Sequence, residues 1–377
     1  MTMLHKALLL RELEAISHEL FIDLSSELSV ARSVWNKALE EPELAEKIAA
    51  FQAPWPLPTW QGKLDASIPI SPCNTPYQLL SVDGSQVYPD KHQGTSCFLI
   101  NIGIVELQYG TGKKGFTVQS VPYVFTDRPQ RTEGELPTSV DFVNCKREEL
   151  ELQYGFEYAK KLQEEVNAPL LLLFDGSLLF WHLESKDQAF KKYFMQRYVD
   201  VLEKCREQGI WIAGYMSLPK HKELMGILKA VMCGFNSASK AHQEIDRLTD
   251  TSITRFFLQS GTRSTLFKST QSLTELYPPE VAPYFCYFNI GAETVRIEVP
   301  QYIAYNEPIF NKICGIIIDQ AQKGTGFPVG LSEAHEQAVV RGPDREFFYY
   351  LIDKMGLTHK KMLVTSQKVR KKRNIPI

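Results

Sequence analysis

Residues 79–85 read Leu-Leu-Ser-Val-Asp83-Gly-Ser, and residues 171–177 read Leu-Leu-Leu-Phe-Asp175-Gly-Ser. Each is a short apolar run that ends on an acid followed by glycine. An uncharged run of that length predicts a strand buried on both faces. The acid then sits at the mouth of the strand, held by a rigid frame yet able to reach solvent. Asp-Gly is also a common turn pair, so turn chemistry explains either copy taken alone. Two copies behind buried strands set beside that turn reading an equal one: paired carboxylates, the way oxygen ligands for hard divalent cations are held.

Outward from the first copy, residues 77–85, 96–108 and 115–125 predict three strands, antiparallel neighbours with a Gly-Thr-Gly turn at 110–112. A long helix is expected over about 143–166, with Leu152, Phe156, Ala159, Leu162 and Val166 as its apolar stripe. The second copy follows it. Then come a helix over 189–208, a buried strand over 210–216 and a helix over 223–233. Residues 236–283 read as mostly polar and irregular. A hairpin is expected around Gly291, then helices over 307–322, 332–340 and 344–354, the last two with Ser332 or Asp344 as N-caps. Strands first, then alternating helix and strand, make a mixed α/β domain.

Residues 3–52 show helical spacing, in Leu4, Leu8, Leu9, Ile16, Leu20 and Phe21 and again in Leu28, Ala31, Val34, Trp35, Ala38 and Leu39. The prolines at 54, 56 and 58 cannot continue a helix. The expected organisation is a helical arm and Pro-rich linker over 1–60, a main domain over 61–358 and a basic tail over 359–377. The arm either packs on the main domain or protrudes from it as a dimerisation element. The tail has seven basic residues and no acid, which suits a solvated end or a contact to a nucleic-acid backbone.

Composition bounds the class. The 377 residues are 44% apolar and 23% charged, with a net charge of −2. That excludes a globally basic nucleic-acid coat and a polyacid, but not a local basic groove. No run approaches the ~18 apolar residues of a membrane span, and the first eleven residues do not read as a signal peptide. Seven cysteines with no Cys-x-x-Cys pair argue against a disulfide framework or zinc ribbon and for a reducing cytoplasm. No Walker A, dinucleotide fingerprint, nucleophile elbow or His-Glu-x-x-His motif is present.

Further chemistry clusters on two helices. In Arg147-Glu-Glu-Leu-Glu151, at ~100° per residue, Glu148 falls in line with the apolar stripe and Glu151 at its edge. Either could be a third ligand, or a first-turn acid favoured by the helix dipole. His335 lies beside the apolar side of its helix, as a ligand, a proton carrier or a half-buried hydrogen-bonded residue. Lys220, Arg263 and Arg296 are candidate contacts to phosphate.

Val82-Asp-Gly-Ser-Gln86, Leu173-Phe-Asp-Gly-Ser-Leu178 and Gly214-Tyr-Met-Ser-Leu-Pro219 come in that order. Gly261-Thr-Arg-Ser264, Arg296-Ile-Glu-Val-Pro300, Gly326-Phe-Pro-Val-Gly-Leu-Ser-Glu-Ala-His335 and Asp344-Arg345 follow. This ordered set, over about residues 77–355, resembles the NurA family of DNA-repair nucleases. The resemblance implies an RNase H-like core with a mixed sheet, a homodimer and a divalent-metal site preferring Mn²⁺ over Mg²⁺. It implies 5′→3′ exonuclease and single-strand endonuclease activity on DNA. It also implies a HerA-type hexameric ATPase translocase as partner in end resection during double-strand-break repair. Carried over by position, Asp83, Asp175 and His335 match the family's site, with Glu151 or Glu148 as the helix carboxylate. Thr262 stands where an acid is expected, and it receives no role. Two metals roughly 3.5–4 Å apart can activate a water and relieve charge on the phosphorus. In that scheme Asp83 bridges, Asp175 and Glu151 flank, and His335 is a ligand or protonates the leaving oxygen. The rival readings are a non-catalytic scaffold that binds DNA or a partner, and a metal phosphatase acting on small phosphoesters.

Overall fold

The computed structural model describes residues 4–20, 23–90, 97–112, 115–126, 136–165 and 168–358. The expected element ends Met3, Ser96 and Val166, the helical Phe21 and the basic tail over 359–377 lie outside them. The strands are β1 (Pro58–Trp60), β2 (Ile68–Pro69), β3 (Tyr77–Val87), β4 (Cys97–Tyr109), β5 (Phe116–Thr126), β6 (Leu170–Asp175), β7 (Trp211–Met216), β8 (Thr262–Arg263), β9 (Phe267–Ser269), β10 (Pro283–Asn289) and β11 (Thr294–Pro300). The helices are α1 (Lys6–Ala15), α2 (Ser17–Leu20), α3 (Ser25–Glu40), α4 (Leu44–Ala50), α5 (Val140–Glu165), α6 (Gln188–Glu207), α7 (Glu223–Met232), α8 (Asp250–Thr254), α9 (Gln301–Ala304), α10 (Glu307–Lys323), α11 (Val329–Ala338) and α12 (Gly342–Thr358).

The strands form one mixed sheet in the order β1-β9-β10-β11-β7-β6-β3-β4-β5, with β2 and β8 attached beside β10. β3, β6 and β7 run parallel, and every other pairing is antiparallel. Residues 170–174 are all buried, as a central parallel strand requires. α5 and α11 both pack on β3 and β4. The main core joins these elements through Leu79, Ile102, Leu172, Phe156, Ile212 and Leu331.

A second core lies toward the other edge of the sheet. Ala31, Val34 and Trp35 of α3 and Ile48 of α4 pack with Leu224 and Ile227 of α7. Trp35 stacks on Phe257 with ring centroids 5.2 Å apart. By contrast, α1 buries no residue, and Leu4, Leu8 and Leu10 are exposed. So α3 and α4 pack on the sheet, while α1 carries its apolar side in the open.

Three local expectations are corrected. The Pro-rich stretch is more than a linker: Pro58–Trp60 pairs with β9, and Trp55 Nε1 donates to Gly226 O at 3.1 Å. An edge strand tolerates the missing proline N–H. Residues 236–283, expected to be irregular, hold β8 and β9, too short to show a period. Finally, α11 begins at Val329 behind Pro328, with Ser332 N–H already donating to Pro328 O at 3.1 Å, so Ser332 is interior. Asp344 lies inside the first turn of α12, which starts at Gly342. Among the described residues, no helix is long and apolar enough to cross a membrane.

Candidate active site

Asp83 is not at the end of its strand. β3 pairs with β4 from Tyr77 to Val87, but with β6 only from Gln78 to Val82. The last parallel pair is Val82 with Phe174, so Asp83 and Asp175 are the next residues on the two strands. What ends there is the neighbour, β6, and its end leaves a notch beside Asp83.

The two faces of β3 at this notch carry different partners. Asp83 is paired with Gly103 of β4, so the two project to one face. On that face α11 lies very close. A Cβ on Gly103 would come within 2.4 Å of Ala334 O and 2.5 Å of Ala338 N. Ser85 Oγ and Asn101 Nδ2 donate to Ala338 O at 2.5 and 2.8 Å, pinning the helix end. This contact seats His335, whose Nδ1 is 2.8 Å from Asp83 Oδ2. The other oxygen of Asp83, Oδ1, accepts from Gly84 N–H at 2.8 Å.

Gly84 faces the opposite side, toward α5. A Cβ there would lie 2.5 Å from Glu151 Oε1 and 2.8 Å from Arg147 Cγ. Arg147 Nη1 donates to Glu151 Oε1 and to Gly84 O, and lies 3.9 Å from Asp83 Oδ1. Glu148 Oε2 accepts from Tyr198 OH at 3.3 Å and lies 3.1 Å from His182 Nε2. Glu149 turns away to Lys146 and Arg197. Arg147, Glu148, Glu151, Phe174, Asp175 and Ser177 line one small cleft. Both helix acids left open by the sequence therefore face Asp175.

This crowding is visible in the acidities. Burial pushes Glu151 up to about 8, only partly offset by Arg147. Burial also pushes Glu148 up to about 7, and raises Asp175 to about 6 with help from the charge of Asp83. Burial works against the Arg147 charge, but Glu151, Glu148 and Asp83 outweigh it, and its pKa rises. Burial and Lys186 lower His182 to about 4, so it meets Glu148 as a neutral ring.

Carboxylate oxygens with one imidazole are the donor set of a hard or borderline divalent cation. Buried acids that hold their protons are what such a set does without one. Among the described residues, no three His, Cys, Asp or Glu side chains are placed to hold a metal ion together. Arg147 sits among these acids: its Nη1 donates to Glu151 Oε1 and lies 3.9 Å from Asp83 Oδ1. The donor chemistry of these side chains fits a divalent metal.

The Asp175-Gly-Ser turn is tied down from behind. Gly176 N–H donates to Tyr215 O at 2.9 Å. Gly214 has no room for a Cβ, which would lie 2.4 Å from Gly176 O. Glu298 of β11 accepts from Ser177 Oγ, Leu178 N–H and Leu179 N–H at 2.7, 2.8 and 3.1 Å. Arg296 in turn donates to Glu298 Oε1 at 2.8 Å and to Glu223.

Of the cations expected at phosphate, Lys220 is exposed, four residues beyond β7. Arg296 is corrected: it is fully buried between two carboxylates and has no route to DNA. Arg263 is 3% exposed and spends its donors on Asn311 and Ser264 O, at the far side of β10. Sequence reasoning gave no role to Arg147, Glu298 or His182. The Arg147–Glu151 spacing of four was a readable helix pair. The other two contacts bridge 120 and 34 residues and left no local signal.

The NurA domain model matches residues 77–340, a span from β3 to just past α11 that holds Asp83, Glu151, Asp175 and His335. Among solved structures, a crystal structure of NurA with manganese is similar at 12% identity and TM-score 0.41, over 91% of this chain and 98% of its own. A second NurA crystal structure has 11% identity and TM-score 0.41, over 91% and 97%. Marinitoga piezophila Argonaute in complex with 5′ OH guide RNA has 12% identity and TM-score 0.29, over 70% of this chain and 30% of its own. A comparison with curated proteins found no match. The match over residues 77–340 supports a nuclease role in DNA repair, and by it the chain belongs to the NurA family.

Proposed function

We propose that the chain is a divalent-metal-dependent deoxyribonuclease, a 5′→3′ exonuclease and single-strand endonuclease that hydrolyses phosphodiester bonds. The observation that supports this reading is a pairing beside a cleft: His335 Nδ1 lies 2.8 Å from Asp83 Oδ2, and Glu148, Glu151 and Asp175 line the cleft next to Asp83's strand. The strand order β5-β4-β3-β6-β7, with β3, β6 and β7 parallel, supports an RNase H-like core. Two ions, Mn²⁺ or Mg²⁺, would be held by Asp83, Glu151, Asp175 and His335, with Glu148 beside them, and would neutralise phosphate charge and acidify the attacking water.

The protein's own groups do the rest. Asp83 accepts the Nδ1 proton of His335, which leaves Nε2 to bind the metal or deliver a proton to the leaving oxygen. Glu298 holds the Asp175 turn rigid through three hydrogen bonds. Lys220 contributes a sequence-independent phosphate contact.

In the same reading the chain works as a homodimer in the cytoplasm, with a HerA-type translocase feeding it DNA ends during resection. Residues 61–358 serve as the nuclease domain, with α3, α4 and β1 packed onto it, and 359–377 as a basic tail. The deciding experiment is cleavage of end-labelled single- and double-stranded DNA with Mn²⁺, Mg²⁺ or EDTA. The expected result is metal-dependent degradation that Asp83→Ala abolishes. Persistence of Mn²⁺-dependent cleavage in Asp83→Ala and in Asp175→Ala would overturn the reading.

A further inference from the structure

The loop after β7 holds a side chain that the carboxylate cleft does not explain. Leu218 is 73% exposed, and its backbone lies in the left-handed region at φ 43°. A branched apolar residue is strained there, and the following Pro219 disfavours helical conformations further. Such a conformation persists only where its surroundings hold it.

They hold it from two sides. Glu293, at the turn between β10 and β11, accepts from Ser217 Oγ at 2.8 and 2.9 Å and from Leu218 N–H at 3.0 Å. Pro219 is buried. The turn that carries Glu293 is itself braced, since a Cβ on Gly326 would lie 2.9 Å from Ala292 Cβ. The loop is also joined to the site. Tyr215, three residues before Leu218, is the register partner of Asp175. Exposed Lys220 follows two residues later. An exposed leucine by itself is ordinary. One fixed in a strained backbone beside the catalytic notch is not.

We propose that Leu218 is an apolar wedge, stacking on the last base pair of a DNA duplex and parting its strands, so that one end enters the notch. This rests on the nuclease reading. Apolar side chains such as leucine pushed between base steps unstack them, and a terminal pair has a neighbour on one side only, so it yields most easily. A wedge must not yield, which is what the Glu293 clamp provides. Lys220 is placed to hold the phosphate of the parted strand.

The test compares wild type with Leu218→Asn. Asparagine tolerates the left-handed conformation, so the loop is kept and the apolar surface removed. With Mn²⁺, the rate on a blunt duplex relative to single-stranded DNA falls about tenfold in the variant. A duplex with several unpaired end nucleotides restores the ratio. An unchanged ratio, or an equal fall on all three substrates, overturns the proposal. A second arm runs in EDTA, with 2-aminopurine in the terminal base pair and binding followed by anisotropy. Wild type brightens the probe on binding, and the variant does not. Wild type that fails to bind the end, or binds without brightening, overturns the wedge. Absent cleavage together with brightening overturns the nuclease reading and leaves the wedge standing.

Discussion

His335 Nδ1 sits 2.8 Å from Asp83 Oδ2, across 252 residues of sequence and between a helix and the middle of a strand. The contact exists because α11 lies almost backbone to backbone on β4, and that approach exists because residue 103 is glycine.

Gly103→Ala therefore reaches the site through packing. The new methyl would press on Ala334 O and Ala338 N, which are backbone and cannot swing aside. The expected cost is about 1–3 kcal/mol of stability, read from urea unfolding. Because α11 must move outward, the His335 ring resonances in an NMR spectrum also shift. A variant with wild-type stability and unshifted His335 would contradict the close approach.

Asp83→Ala and Asp175→Ala are expected to lower DNA cleavage by on the order of 10³-fold or more, as loss of a metal-bridging or flanking carboxylate removes both charge relief and water activation. Neither side chain holds up the core, so circular dichroism and melting temperature stay close to wild type.

Arg147 is the guanidinium set among Glu151, Glu148 and Asp83. Arg147→Gln should lower the stability of the metal-free protein by about 1 kcal/mol, the scale of a lost hydrogen bond, because Glu151 keeps its proton. It should also tighten Mn²⁺ binding, because the metal no longer competes with a guanidinium for Glu151. Calorimetric titration of Mn²⁺ into both proteins checks the second point. Weaker binding by the variant would make Arg147 a support of the site and not a competitor.

Stability of the metal-free protein should fall as pH rises from 6.5 to 8. Burial lifts Glu151 to about 8, so in this window the folded state keeps a proton that the unfolded chain has already lost. More protons bound in the folded state means that stability declines with rising pH. Glu148, at about 7, adds to the lower half. His182 and His221, lowered to about 4 by burial, oppose this weakly just above 6.5, where the unfolded rings still hold part of a proton, and are silent by 8. The fall due to Glu151 is about 2 kcal/mol at most, at 1.36 kcal/mol per pKa unit. Melting in EDTA across this range measures it, and Glu151→Gln should flatten the slope.

Lys220 and Arg296 should separate cleanly. Lys220→Ala is expected to weaken DNA binding and reduce the salt slope by about one. Arg296→Ala should leave that slope alone and cost about 3–5 kcal/mol, because it strands Glu223 and Glu298 in the core. A reduced salt slope in Arg296→Ala would restore that residue to the DNA surface.

What the sequence determined by itself was local. The uncharged runs before Asp83 and Asp175 marked buried strands, since only a strand covered on both faces stays apolar at successive positions. The 3.6-residue spacing of Leu152, Phe156 and Ala159 marked α5, and glycine at 291 marked the hairpin. These signals depend on neighbours a few residues away. The end of β6 at Asp175 was readable too; tertiary structure alone decided that β3 runs on past Asp83 beside it, which makes a notch out of two strand segments. It alone decided that Glu148 and Glu151 both face that notch, because α5 reaches it from the side opposite α11. Arg263 and Arg296 read as surface cations, yet the fold buries both, since pairing with Glu298 and Glu223 offsets the desolvation of Arg296. Charge in a sequence shows what a side chain can bind, and only packing shows which partner reaches it first.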